Sequence, residues 1–225
     1  MKILLKVRRF DPDCDRGSRL ADYEVEIPGS MKVLDALQKA RDTDPSLSFR
    51  RSCRSAICGS CAVSINGVPS LACHVRVKDV ARLDGSLLIE PLPHFRVLRD
   101  LVVDLGPFFE SLHAVLPFHF PKTGRDGLMT QADSALIESP ANCILCGACN
   151  AAMEPPGEVS PVALVKGLRH ALDSRDRLGC ARMALMNVPE EVLRLFLSEL
   201  PEKCVKGINI SVRAAIGAGE TAGLY

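Results

Sequence analysis

The chain contains no tryptophan, and its only aromatic residues are two tyrosines and eight phenylalanines among 225 residues. Proteins that bind nucleic acids usually need aromatic stacking platforms or a basic surface. A basic excess is absent as well, because 28 Lys and Arg are balanced by 27 Asp and Glu, which leaves a net charge of +1. The composition therefore gives no support to a nucleic-acid partner.

The sequence also lacks a run of about 18 apolar residues, so it predicts no membrane-spanning helix. Its first residues, MKILLKVRRF, have neither the apolar core nor the cleavage site of a secretory signal, and we expect a cytoplasmic protein. No phosphate-binding loop or dinucleotide fingerprint occurs, so FAD or NAD would have to be held by a partner. No His pairs with a Ser or Cys as base and nucleophile, and we assign no catalytic residue.

Cysteine is the one residue type present in unusual number. There are ten, and in a reducing cytoplasm such a pattern points to metal binding before disulfides. The first group follows the spacing C-x4-C-x2-C with a fourth Cys after a predicted hairpin at Asn66-Gly67. This is the plant-type arrangement for a [2Fe–2S] cluster, and its predicted ligands are Cys53, Cys58, Cys61 and Cys73. A zinc site is the alternative, but structural zinc usually uses two C-x2-4-C knuckles.

A second group, Cys143, Cys146 and Cys149, has the spacing C-x2-C-x2-C in NCILCGACN. This is the bacterial-ferredoxin nucleus for a [4Fe–4S] cluster, which takes its fourth ligand from a distant Cys. Cys204 is the candidate for that position, and Cys180 competes with it. Zinc is again the alternative reading of the spacing.

Both groups, in this order and with these neighbours, resemble the iron–sulfur subunit of succinate dehydrogenase and fumarate reductase. The resemblance extends over nearly the whole chain. Its motifs include RRFDPD, DPSLSFRRSCR and ICGSCAVSINGVPSLAC in the first half and CILCGAC, ALDSRD and KGIN in the second.

The resemblance implies an electron-relay subunit without a substrate site of its own. In this family an FAD-bearing subunit interconverts succinate and fumarate, and single electrons pass through iron–sulfur clusters to a quinone at membrane-anchor subunits. We therefore expect an α+β fold, with a β-grasp domain of the plant-type ferredoxin kind over residues 1–105 and an all-α domain of the bacterial ferredoxin kind over 106–225. The flavoprotein is the expected partner, and anchor subunits would place the chain peripherally on the cytoplasmic face of the inner membrane. The resemblance also assigns Cys204 to the [4Fe–4S] cluster.

The sequence departs from the family at the third cluster, [3Fe–4S]. Met153 and Met186 stand where the family has two of its three cysteine ligands, and only Cys180 remains of that set. Thioether sulfur is a weak neutral ligand, so we predict one [2Fe–2S] and one [4Fe–4S] cluster, no [3Fe–4S] cluster, and buried apolar roles for both methionines. The Trp and His that usually lie near the quinone are missing too, because the chain has no Trp and Ala181 follows Cys180.

A free-standing two-cluster ferredoxin that shuttles electrons between soluble enzymes is the alternative function, and a zinc-stabilised interaction module is a third. For secondary structure, the patterns predict strands over 2–10, 21–27, 62–66, 73–77 and 87–90, a helix capped by Ser30, and a helix over about 97–115. They also predict helices that begin at Ser160-Pro161 and at Pro189.

Overall fold

Alternating burial organises the first strand, in which Ile3, Leu5 and Val7 face the core. The computed structural model describes residues 2–14, 17–26, 28, 30–122, 128–153 and 159–224. The strands are β1 (Lys2–Arg9), β2 (Arg19–Glu26), β3 (Ala62–Ile65), β4 (Val68–Leu71), β5 (Ser86–Glu90), β6 (Val97–Arg99) and β7 (Val102–Val103). The helices are α1 (Val33–Thr43), α2 (Val77–Val80), α3 (Gly106–Ala114), α4 (Gln131–Ala141), α5 (Ala148–Ala152), α6 (Pro161–Ala171), α7 (Ala181–Met186), α8 (Glu190–Lys203) and α9 (Val212–Thr221).

Five strands form one mixed sheet in the order β2-β1-β5-β3-β4. Strand β1 pairs antiparallel with β2 and parallel with β5, whereas β3 pairs antiparallel with both β4 and β5. The predicted hairpin is confirmed: Asn66 and Gly67 have positive φ values of 50° and 88°, and Ile65 pairs with Val68 across a two-residue loop. The hairpin connects Cys61 to Cys73, the last two cysteines of the first group.

Two compact units share the chain. The first comprises residues 1–105 and 144–152, and the second comprises 106–143 and 153–225. The described strands all lie in the first unit, here called the sheet unit, together with α1, α2 and α5. The remaining described helices lie in the second, here called the helical unit. The fold is thus a mixed sheet combined with helices. The segment 144–152, which carries two cysteines, belongs with the sheet.

Two predicted elements are wrong. The segment 97–105 forms the β6-β7 hairpin, and only Gly106–Ala114 is helical, with Pro107 in its first turn. Asp100 turns the hairpin with a φ of 47° and is fixed there by a buried ion pair with Arg9. The predicted strand over 73–77 is instead a turn that leads into α2, because the two-residue loop starts β4 at Val68.

Helix caps follow the sequence in the second unit but not in the first. Ser160 accepts a hydrogen bond from Ala163 N, with Pro161 directly after it, and Pro189 precedes α8, as predicted. Ser30 does not cap α1. The first N–H groups of α1, those of Val33 and Leu34, instead donate to the carbonyl oxygens of residues 75 and 72.

A buried arginine ties together the second unit. The Arg182 side chain is fully buried, pairs with Asp176 at 2.9 Å, and donates to the carbonyl oxygens of Val115, Leu116 and Phe118. Removal of either charge would leave the other buried without its partner, which is the costly case. No sequence pattern predicts this pair, since a lone Arg on a short helix belongs to no motif. No helix in the described part of the chain is long and apolar enough to span a membrane.

Candidate metal centres

The first cysteine group lies in a loop of the sheet unit and in the hairpin that follows. Cys53 and Cys58 are exposed in the loop between α1 and β3, whereas Cys61 and Cys73 are buried at the two ends of the β3-β4 hairpin. The hairpin brings these ends together, since Ala72 N donates to Cys61 O at 3.1 Å. Cys73, the predicted fourth ligand, therefore lies beside the loop, as the sequence indicated.

Hydrogen-bond donors surround the sulfur atoms of this loop. Cys58 N and Ser55 N lie 3.2 and 3.4 Å from the Cys53 Sγ, and Ala56 N lies 3.2 Å from the Cys73 Sγ. The Ser60 hydroxyl lies 3.1 Å from the Cys58 Sγ. Donors at these distances favour thiolate over thiol, and thiolates are the ligands of iron–sulfur clusters.

The loop achieves this by repeated reversal of its backbone. Arg54, Ala56 and Gly59 all have left-handed conformations, with φ values of 58°, 57° and 73°. Two of these residues carry a side chain, and left-handed backbone is unusual for such residues. The reversals turn successive N–H groups toward the sulfur atoms.

Thiol acidity differs sharply across this group. The Ser55 hydroxyl and the backbone N–H groups of the loop lower the pKa of Cys53 to about 6. Burial, together with the nearby Cys73 and Cys58, raises the pKa of Cys61 to about 12. Neighbouring thiolates, such as those of Cys61, Cys73 and Cys58, repel one another unless a cation is shared among them. The donor set therefore fits a cationic iron centre, which stabilises the deprotonated form of every ligand.

Positive charge lies beside this loop, as the sequence indicated. Arg51 and Arg54 are exposed and Arg50 is half-buried. Arg54 is paired with Asp35 of α1, so part of its charge is neutralised within the sheet unit. Arg50 and Arg51 supply positive charge near the cluster, whose thiolate ligands would give it a net negative charge.

The second cysteine group follows α4, in a turn with two left-handed residues, Leu145 and Gly147. Cys143 belongs to the helical unit, where Lys166 Nζ donates to its carbonyl oxygen at 3.1 Å, while Cys146 and Cys149 belong to the sheet unit. All three cysteines are partly buried.

The two competitors for the fourth position both lie in the helical unit. Cys204 ends α8, where Lys206 N approaches its Sγ at 3.4 Å, and Cys180 precedes α7. Within the described ranges, no three His, Cys, Asp or Glu side chains converge on a single-ion site. The assignment of Cys143, Cys146, Cys149 and Cys204 to one centre remains a prediction.

The two methionines predicted to have buried apolar roles are both buried. Met153 is 7% exposed and Met186 is 1% exposed. The Met186 thioether lies against the Cα of Gly167 on α6, so closely that a side chain at 167 would displace it. These contacts are those of packed core residues.

Comparison with known proteins places these sites in a family. A family model described as a 2Fe-2S iron-sulfur cluster binding domain matches residues 4–110. The fumarate reductase iron-sulfur subunit of Haemophilus influenzae is 35% identical, with 96% of this chain and 91% of the relative aligned. The same subunit of Shigella flexneri is 37% identical, with the same coverage. This chain belongs to the family of succinate dehydrogenase and fumarate reductase iron–sulfur subunits.

A plant relative and a solved structure agree with this assignment. The mitochondrial succinate dehydrogenase iron-sulfur subunit 1 of Oryza sativa is 35% identical over 90% of this chain and 76% of the relative. A chain of the Mycobacterium smegmatis Sdh1 complex, in its apo form, superimposes with a TM-score of 0.77 at 26% identity, over 99% of this chain and 95% of that one. The resemblance predicted from the cysteine motifs is confirmed, and this family member is an iron–sulfur protein.

A buried ion pair supports the backbone just before the first cysteine loop, and no sequence pattern predicts it. Arg9 and Asp100 form a buried pair 2.8 Å apart, and Asp100 also accepts from the backbone N–H groups of Phe10 and Ser48. Ser48 lies five residues before Cys53, the first cysteine of the loop. The RRFDPD motif contains Arg9, but nothing in the sequence pairs it with a residue 91 positions later.

Proposed function

We propose that this chain is the electron-transfer iron–sulfur subunit of a succinate dehydrogenase or fumarate reductase-like complex, and that it relays single electrons between an FAD subunit and a terminal acceptor or donor. The observation that supports it most is the loop around Cys53 and Cys58. Its backbone and hydroxyl donors surround sulfur atoms in a chain whose relatives are iron–sulfur subunits of such complexes. Substrate chemistry then belongs to the partner.

Two clusters are part of the proposal, one [2Fe–2S] and one [4Fe–4S]. Each supplies reversible one-electron chemistry when bound. The ligands of the first are Cys53, Cys58, Cys61 and Cys73, and those of the second are Cys143, Cys146, Cys149 and Cys204. The protein's contribution is to hold the thiolates and donate hydrogen bonds to them, which together tune the reduction potential.

The proposal includes no [3Fe–4S] cluster. Ten cysteines less eight ligands leave Cys14 and Cys180, and three thiolates are needed. Cys14 is exposed in the loop between β1 and β2. The buried methionines Met153 and Met186 support the same conclusion, since they fill space as apolar side chains. The terminal acceptor is therefore not a quinone bound in the usual way.

Domain organisation and cellular position complete the proposal. Residues 1–105 form a β-grasp domain of the plant-type ferredoxin kind, supported by the mixed sheet and the family match over 4–110. Residues 106–225 form an all-α domain of the bacterial ferredoxin kind. The chain is cytoplasmic and reaches the inner membrane only through its partners.

Iron and sulfide analysis with electron paramagnetic resonance, on full-length protein purified without oxygen, tests the cluster assignment. One [2Fe–2S] and one [4Fe–4S] cluster give about six irons per chain. About nine irons would overturn the ligand assignment. Zinc without iron or sulfide would overturn the proposal as a whole, in favour of a zinc-stabilised module.

Ligand variants sharpen this test. Cys58→Ser should lose the [2Fe–2S] signal and about two irons, and Cys204→Ser should lose the [4Fe–4S] signal alone. Cys14→Ser is the matched control, because it removes an exposed thiol outside both ligand sets. If Cys180→Ser rather than Cys204→Ser removes the second signal, the fourth ligand has been assigned wrongly.

Copurification of untagged proteins with a tagged copy of this chain distinguishes a subunit of a complex from a free-standing electron carrier. A flavoprotein that stays bound to the chain through gel filtration supports the relay subunit. A monomeric brown protein that reduces soluble acceptors without a flavoprotein would instead favour the free-standing ferredoxin.

A further inference from the structure

The two cysteine loops touch within the sheet unit, and the contact is made at a glycine. A Cβ placed on Gly59 would lie 2.9 Å from Ile144 O and 3.0 Å from both the Cα and the Cβ of Cys146. Gly59 stands between Cys58 and Cys61 of the first group, and Cys146 is the central cysteine of the second. Only a residue without a side chain permits backbones to approach this closely.

The second loop also makes a close contact at a glycine of its own, Gly147. A Cβ on Gly147 would lie 3.1 Å from the Phe95 Cζ and 3.6 Å from the Leu92 Cδ1. Leu92 is 3% exposed, so this wall is part of the core of the sheet unit. Helix α5 continues from this loop and packs near β4. The segment 144–152 thus contacts both the first cysteine loop and the wall formed by Leu92 and Phe95.

We propose that Gly59 and Gly147 are positioning residues that set the electronic coupling between the two iron–sulfur centres. This inference rests on the proposed function, since it requires both centres. One electron leaves the reduced centre and reduces the other, and no bond in the protein is made or broken. Neither glycine binds a metal. Gly59 allows the loop that carries Cys146 to lie in contact with the loop that carries Cys58 and Cys61, and Gly147 allows the same loop to lie against Leu92 and Phe95.

A methyl group at position 59 has no room to relax. Its nearest neighbours are backbone atoms of Ile144 and Cys146, which move only if the whole loop moves. The loops must therefore separate in Gly59→Ala. Electron transfer falls steeply as the separation between centres grows, so a small displacement has a large kinetic effect.

Gly85→Ala is the matched control. Gly85 has a φ of 76°, close to the 73° of Gly59, so alanine at either position incurs the same left-handed strain. The nearest atom to a Cβ on Gly85 is Lys2 O at 3.9 Å, which is an ordinary contact. Effects shared by both variants report backbone strain, and effects confined to Gly59→Ala report loop separation.

The experiment uses the full chain with its clusters in place. After reduction with dithionite, electron paramagnetic resonance measures the magnetic interaction between the two reduced centres, and freeze-quenching after rapid mixing with a limiting amount of dithionite measures how fast one electron equilibrates between them. We expect Gly59→Ala to keep its iron content and both signals, with a weaker interaction and equilibration slowed severalfold. An interaction and a rate equal to those of Gly85→Ala would overturn the inference.

A rescue experiment tests the second glycine independently. Gly147→Ala should shift the loop that carries Cys146 and change the interaction, and adding Phe95→Leu should return it toward the reference value, because leucine lacks the ring atoms 3.1 and 3.7 Å from the new Cβ. Phe95→Leu alone is the reference. If Gly59→Ala fails to assemble a cluster, this pair decides, and an interaction in the double variant equal to that of Gly147→Ala would overturn the inference. A wild-type protein without two signals would instead overturn the proposed function.

Discussion

Asp100→Asn removes the charge on which the first cysteine loop depends for support, although Asp100 touches no cysteine. The carboxylate is 2% exposed, and both of its oxygens accept hydrogen bonds. Arg9 Nε and Phe10 N donate to the Oδ1, and Ser48 N donates to the Oδ2. An asparagine amide would therefore point its NH2 group at another donor in either orientation. The variant loses the buried ion pair and one backbone hydrogen bond together.

The cost follows from these contacts. Breaking one side of a buried ion pair costs about 3–5 kcal/mol. Arg9 keeps Asp44 as a second counter-charge at 2.6 Å, so we expect the lower end, about 3 kcal/mol. With a urea dependence of about 2 kcal/mol per molar, the unfolding midpoint should fall by about 1.5 M.

Urea unfolding of the full chain, followed by far-ultraviolet circular dichroism, measures this shift. Asp104→Asn is the matched control, because Asp104 pairs with Arg96 at the same 2.8 Å while Arg96 is 75% exposed. An exposed pair of this kind contributes at most about 1 kcal/mol. If both variants shift the midpoint equally, the buried pair does not anchor this part of the sheet unit.

Three further predictions concern the helical unit. Burial and the positive charges of Arg169 and Arg182 lower the pKa of His170 from 6.5 to about 4. The free energy of unfolding should therefore decrease as pH falls from about 6.5 toward 4, because the unfolded chain binds a proton that the folded chain does not. The variant His170→Leu should flatten this dependence, and a pH profile unchanged by the substitution would contradict the prediction. Gly167→Ala and Met186→Ala should each lower the melting temperature, and the cavity left by Met186→Ala should cost about 2–5 kcal/mol. The double variant should be less destabilised than the sum of the two single effects, because the new methyl group enters the space that Met186 leaves. Strict additivity would mean that the two residues do not compete for space. Ser160→Ala should cost about 1 kcal/mol in thermal unfolding through loss of the α6 cap, and a change within error would show that Ala163 N finds another acceptor.

Local patterns predicted the elements whose stabilising contacts are near in sequence. The alternation in β1, the Asn66-Gly67 turn and the Ser160-Pro161 start of α6 were all found where the sequence indicated. Each is decided by a few adjacent residues. The segment 97–105 was predicted wrongly as helix, because its leucines and valines occur at helical spacing while the group that fixes its turn is Arg9.

The sequence by itself predicted the chemistry: the number and spacing of the cysteines indicate thiolate sets for iron, and Met153 and Met186 argue against a third cluster. Spacing along the chain is sufficient there, because a loop of a few residues limits which sulfur atoms can meet. Tertiary structure alone decided which distant groups support those loops. The pairing of Arg9 with Asp100, and the contact of Gly59 with Cys146, join residues more than 80 positions apart. No local periodicity encodes such contacts, since they arise only when the sheet brings its connecting loops together.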